Sequence, residues 1–294
     1  MGEEERLSDL AERILEGAYR KVMFVGGIDT GKTFLVLSLA DRMDGAGRRV
    51  AVLDFDLGQS TVGPPGCVGL QAPWVSGERP LFPTAMASLG ISSPAYDVAS
   101  VVEAGLRLEK GVPESGCETL LIDTSGMVEG RLAALLKRSK IRALRPDLVV
   151  ILDRNGEALH IFGGPEEASY NELAVVRPDP GARRRSKEER AAYRCERFLL
   201  YFRSSRELEV SLDQMVISTT SPRLASFTHG LQKGRLLGLN DAEGSTLALA
   251  RVLDVDGARV RLLTPYRGEE RHIASLAVGP ALLDDDGSLR LLRT

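Results

Sequence analysis

Four short stretches of the chain are apolar throughout rather than alternating: Lys21 to Val25, Arg49 to Leu53, Thr119 to Ile122 and Leu148 to Leu152. Such runs predict strands buried on both faces. Between them the period changes to that of a helix, over Lys32 to Met43 and Glu129 to Ala143. Residues 3–16 add Leu7, Leu10, Ile14 and Leu15 at helical spacing, an amphipathic helix that would pack on the core. Strands alternating with helices predict an α/β fold, a mostly parallel sheet flanked by helices. The 60–100 stretch, rich in Pro, Gly and Ser, reads as loops around one more strand near Thr84 to Leu89, or as a substrate-facing insertion.

Past about residue 204 the texture changes. "STLALARVLDVDGARVRLLTP" is two strand-like runs joined at Asp256-Gly257, a hairpin signal, and "PALLDDDGSLRLLRT" repeats it at Asp286-Gly287. The expected division is residues 1–203 as the main domain and 204–294 as a smaller β-rich module. A length of 294 residues with 43% hydrophobic content suits that arrangement. The net charge of -3 does not advertise nucleic-acid binding, so a binder of this composition needs a local basic cluster. Cys67, Cys117 and Cys195 have neither metal-ligand nor disulfide-framework spacing, and His160, His229 and His272 are too separated for a metal site. The acidic start, MGEEERLSDLAERI, has no signal-peptide pattern, and no run is long enough to span a bilayer. A cytoplasmic protein with no membrane partner is expected.

The strongest chemical signal is Gly26, Gly27, Ile28, Asp29, Thr30, Gly31, Lys32 and Thr33, which fit G-x-x-x-x-G-K-[ST] between a strand and a helix. Glycines let backbone N–H groups turn toward phosphates, and a helix N-terminus adds its dipole. Lys32 would reach the β- and γ-phosphates of a nucleoside triphosphate, and Thr33 would ligate Mg²⁺. "VLDFDLGQS" ends the second strand with Asp54, Asp56 and Gln59. Asp54 and Asp56 point the same way because strand side chains alternate with period two. Either acid can hold metal-bound water or accept a proton from an attacking hydroxyl, unless they are simply solvated turn residues. "LLIDTSGMVEG" ends the third strand with Asp123, Thr124, Ser125 and Gly126, a Walker B pattern that also fits the D-x-x-G of GTPases. The chain has no N-K-x-D to read a guanine. Thr33, Asp56 and Asp123 are the candidate metal ligands.

Arg183 to Arg206 is basic. Ser186 and Glu189 form an S-x-x-E capping box, so a helix should start near Lys187. Arg190, Arg194 and Arg197 then fall on one stripe. Such a stripe is ordinarily a solvated face, but near a phosphate loop its guanidinium groups can stabilise transferred charge as a lid at 183–203.

Taken in order, G-x-x-D-x-G-K-T, then D-x-D-x-G-Q-S with "TVGPPGCVGL", then T-S-G with "MVEG", then R-S-x-x-x-R and a closing "YF", the motifs resemble those of the Clp1/Grc3/Nol9 family of polynucleotide 5′-hydroxyl kinases over roughly residues 20–203. The resemblance implies transfer of the γ-phosphate of ATP to the 5′-OH of RNA or DNA that is single-stranded or has an accessible end. It implies Asp56 as general base, with Asp54 and Gln59 supporting metal and water. It gives Thr124, Ser125 and Gly126 the part of a clasp on the substrate end, and Arg185 and Arg190, with Arg194 as a third, the part of the lid. One departure is Met127, where many members have a Trp that can stack on a base; a thioether grips a base face less directionally. Trp74, the only Trp, is expected to be packing. The competing readings are a non-catalytic ATP-binding subunit of an RNA-processing complex and a P-loop NTPase or small-molecule kinase that ignores oligonucleotides.

Overall fold

The computed structural model describes residues 7–17, 19–91, 93–162, 170–178, 181–219 and 231–292; His229 lies outside them. In chain order, α1 (Leu7–Leu15) precedes β1 (Lys21–Gly26), α2 (Lys32–Gly45) and β2 (Val50–Asp54). β3 (Cys67–Gln71), β4 (Ala85–Ser88), α3 (Val98–Glu109) and β5 (Thr119–Asp123) follow. Then come α4 (Gly130–Leu144), β6 (Leu148–Leu152), β7 (Glu172–Val176) and α5 (Lys187–Phe202). The remaining strands are β8 (Arg206–Ser211), β9 (Val216–Thr219), β10 (Arg235–Asn240), β11 (Thr246–Asp256), β12 (Arg259–Thr264), β13 (Ser275–Leu283) and β14 (Leu289–Leu291).

These elements form two compact units that do not follow chain order. The first takes residues 1–56, 70–80 and 102–186, and the second takes 57–69, 81–101 and 187–294. In the first, parallel strands run in the order β2-β5-β1-β6-β7. β2, β5 and β6 are buried at every position and β1 after its first residue, as continuous apolar runs require when helices cover both faces of a sheet. The four expected strands fall where the apolar runs predicted them. α1 buries Leu10, Ala11 and Ile14, the inner face of its amphipathic pattern.

In the second unit, the strand order β14-β13-β10-β11-β12-β8 is antiparallel, with β9 parallel to β13. The two expected hairpins are present: β11 turns into β12 across Asp256-Gly257, and β13 into β14 across Asp286-Gly287. Leu237, Leu239, Val252, Leu262 and Leu276 lie in its core. α5 starts at Lys187, where the capping box predicted it. The 60–100 stretch holds two strands, β3 and β4, and the start of α3, rather than one strand among loops. Among the described residues, no helix is long and apolar enough to cross a membrane.

Candidate active site

β1 delivers the chain into the glycine-rich loop. Gly26 has no room for a side chain, since a Cβ there would lie 2.5 Å from the Leu152 carbonyl oxygen. Asp29 and Gly31 adopt positive φ of 56° and 84°, which turns the loop back toward α2. Thr30 Oγ1 donates to the Gly27 carbonyl oxygen at 3.0 Å and Lys32 Nζ to the same oxygen at 2.9 Å. Lys32 is buried, and burial pulls its pKa below the ordinary lysine value, opposed by Asp123, Asp56 and Asp29. α2 has no side-chain cap and no acid in its first turn, so its N-terminal N–H groups are disposed for an anion.

Two strand ends supply carboxylates. Asp54 on β2 is the register partner of Asp123 on β5. Asp54 Oδ1 accepts the Asp56 N–H at 2.8 Å, which curls the chain just after the strand. Asp123 Oδ2 accepts the Thr33 hydroxyl at 2.6 Å, while Asp123 Oδ1 is buried with no hydrogen-bond partner among the described residues. Burial pushes the Asp123 carboxyl above its ordinary value, against the pull of Lys32 and the Thr33 hydroxyl. Asp56 is half-buried and acts electrostatically on both Lys32 and Asp123. A hard cation bound through a hydroxyl, one or two carboxylates and nucleotide phosphates suits this donor set, so the residues fit Mg²⁺.

The turn after β5 lies beside the loop. Thr124 Oγ1 donates to the Phe24 carbonyl oxygen at 2.7 Å, and Ser125 is buried with its hydroxyl unpartnered among the described residues. Gly126 abuts the loop: a Cβ there would be 2.8 Å from Ile28 Cα. Met127 is half-buried. Arg185 is also in this unit, its N–H on Asp29 Oδ2 at 2.8 Å and its Nε on Asp29 Oδ1 at 3.3 Å.

Gln59, Arg190 and Arg194 belong to the second unit. There Gln59 Nε2 donates to the Arg190 carbonyl oxygen at 3.1 Å, and Arg190 and Arg194 are half-buried on α5. The third arginine of the stripe is structural: Arg197 is buried, with Nη2 on the Gly63 carbonyl oxygen at 2.7 Å. Trp74 is buried and donates from Nε1 to Asp41 at 2.8 Å, so it is packing.

Sequence reasoning missed Lys137 and Lys140, both fully buried on α4. Lys137 Nζ donates to Thr124 Oγ1 at 2.9 Å and to the Ser125 carbonyl oxygen. Their signal was present. Ala133, Leu136, Lys137, Lys140, Ile141 and Leu144 make one helical stripe, with the two lysines on its apolar face.

The family model of the mRNA cleavage and polyadenylation factor CLP1 P-loop matches residues 26–204. A polyribonucleotide 5′-hydroxyl-kinase of Pyrococcus furiosus is 31% identical over 203 residues, 68% of this chain and 56% of that protein. Its counterpart in Pyrococcus horikoshii is 31% identical over 202 residues, 68% of this chain and 54% of that protein. The chain thus spans about half the length of the curated relatives it matches. A solved chain from the wild-type Clp1p–Pcf11p complex has the same fold, with a TM-score of 0.70 over 92% of this chain and 78% of that one, at 16% identity. A match that takes in the phosphate loop, both acidic strand ends and α5, over more than half of the sequence, means that the chain belongs to the CLP1 P-loop family.

Proposed function

We propose that the chain is an ATP-dependent polynucleotide 5′-hydroxyl kinase, acting on the 5′-OH end of RNA, DNA or both. The observation that carries this reading is the convergence of Thr33, Asp123 and the Asp54–Asp56 pair beside the buried Lys32. Transfer to an alcohol calls for one acid at a metal and one that takes a proton, and Asp123 with the Asp54–Asp56 pair could supply them. The names of the archaeal relatives support the same chemistry.

In the proposed mechanism the loop N–H groups and Lys32 bind the β- and γ-phosphates of ATP. Thr33 and Asp123, with Asp56 beside them, would hold Mg²⁺, which when bound neutralises charge on the phosphates. Asp56 takes the proton of the 5′-hydroxyl, and Asp54 holds the backbone of Asp56 in place. Gln59 supports the water around the metal. Ser125, Gly126 and Met127 face the substrate end, with Thr124 fixing their turn. Arg185, Arg190 and Arg194 spread the transferred charge. In functional terms residues 1–203 form the kinase part, with 183–203 as lid, and 204–294 a β-rich accessory module. The proposed setting is cytoplasmic, in keeping with three free cysteines.

The test is transfer from γ-labelled ATP to matched 5′-OH RNA and DNA oligonucleotides. Label should appear on the oligonucleotide and vanish with Lys32→Ala, and the RNA-to-DNA ratio sets the substrate class. ATP binding without label on either oligonucleotide would sink the kinase reading in favour of a non-catalytic ATP-binding subunit or another acceptor.

A further inference from the structure

α4 buries two ammonium groups where its pattern calls for apolar side chains. A buried ammonium is costly unless it is hydrogen-bonded and its charge is balanced. Lys137 meets the first condition: its Nζ bridges Thr124 Oγ1 and the Ser125 carbonyl oxygen. Burial, with Lys140 and Lys32 nearby, pulls its pKa well below the ordinary lysine value against the opposing pull of Asp56 and Asp123, so the hydrogen bonds are what hold the amine in place. Thr124 passes the connection on by donating to the Phe24 carbonyl oxygen of β1.

A line of hydrogen bonds therefore runs from α4, through the turn after β5, to the strand that leads into the phosphate loop. The Thr124 hydroxyl is engaged on both sides and turned inward. Ser125 Oγ, buried and unpartnered, is the polar side-chain group left over in the turn, followed by Gly126 and Met127. Lys137, on α4, bonds both to a side chain and to the main chain of this turn. Removing its amine would free the Ser125 carbonyl and leave Thr124 with a single partner. The hydrogen bonds that hold the loop, Lys32 and Thr30 on Gly27 and Thr33 on Asp123, do not include Lys137, whose influence on Lys32 and Asp123 is electrostatic.

We propose that Lys137 is a positioning residue that fixes the Thr124–Met127 turn against which the 5′-terminal nucleotide is held. The inference rests on the kinase reading and names a residue that acts on the polynucleotide side of the site rather than on ATP. Lys137→Met keeps the length and the apolar stem but removes the donors. It should lower kcat/KM for the oligonucleotide by about ten-fold or more, chiefly through KM, while ATP affinity stays within about two-fold. Lys137→Arg, which keeps a cationic donor, should recover part of the loss. Amide hydrogen exchange at residues 124–128 should quicken in Lys137→Met.

Unchanged kinetics in a folded Lys137→Met protein would overturn the assignment. So would a fall in ATP affinity equal to the fall in kcat/KM, or a lower melting temperature with normal kinetics. If Lys137→Met does not fold, Thr124→Val removes one acceptor of the same amine and is expected to show the same split. Absence of transfer by the unmodified protein would fell the kinase reading first, and this inference with it. Normal transfer by the unmodified protein with unchanged variants would fell this inference alone.

Discussion

Lys140 has no hydrogen-bond partner for its ammonium among the described residues; Nζ lies 4.1 Å from the centroid of the Phe55 ring. Burial pulls its pKa from the ordinary 10.5 to about 7, although Asp56, Asp54 and Asp123 all pull upward. The sign of the consequence follows from proton linkage. Below about pH 7 both the folded and the unfolded chain carry the charge, and the folded state bears the whole cost of burying it. Between about pH 7 and 10.5 only the unfolded chain is protonated, so the cost shrinks as pH rises. Lys140→Met should therefore raise the midpoint of denaturant unfolding most below pH 7, with the gain fading toward pH 10.5. A gain independent of pH would show that the amine does not titrate in this range. Residues in the glycine-rich loop were legible in sequence because their pattern is local: eight consecutive residues, Gly26 to Thr33, carry it. Lys137 and Lys140 were not, because their meaning depends on which face of α4 is buried, and a lysine is exposed by default.

Between elements, the turn after β5 meets the phosphate loop glycine against backbone. Gly126, one residue past Ser125, lies where a Cβ would come within 2.8 Å of both Ile28 Cα and Ile28 Cγ1. The backbone cannot yield as a flexible side chain would. Gly126→Ala should cost about 1–3 kcal/mol in unfolding free energy, as overpacking does, and should weaken ATP binding by displacing the loop. Calorimetric melting and ATP titration on the same sample check it; an unperturbed affinity would mean that the loop accommodates the methyl group. The T-S-G motif was readable before the structure, but its reason for glycine was not, since Ile28 is nearly a hundred residues away. Other elements divide the same way. β1, β2, β5 and β6 were plain from uninterrupted apolar runs. β4 lies where one strand was expected near Thr84 to Leu89, whereas β3 and the start of α3 sit in a stretch whose Pro, Gly and Ser content masked them.

On the scale of the molecule, the sequence shows its change of texture near residue 204, whereas α5 already lies with the β-rich unit. Phe198 and Tyr201 are buried among Leu236, Leu249, Ala281 and Leu283, and the Tyr201 hydroxyl accepts the Leu249 N–H at 2.9 Å. A chain ended at residue 203 would keep Phe82 stacked on Tyr201 but strip both aromatic rings of Leu236, Leu249, Ala281 and Leu283, a loss of up to about 3–5 kcal/mol each by analogy with aromatic truncation in cores. It should melt without cooperativity and elute as aggregates on gel filtration; a monomeric, cooperatively melting 1–203 fragment would show that α5 holds its place without the strands. The same interleaving has a consequence in time. Cys67 and Met86 share that cluster with residues as late as Leu283. At about 5–20 residues per second of synthesis, the 57–69 and 81–101 segments wait on the order of ten seconds for the last strands they pack with. During that interval the ribosome holds a nearly complete phosphate-loop half beside two orphaned apolar segments. The segments 57–69 and 81–101 are thus the places where a chaperone has most to cover.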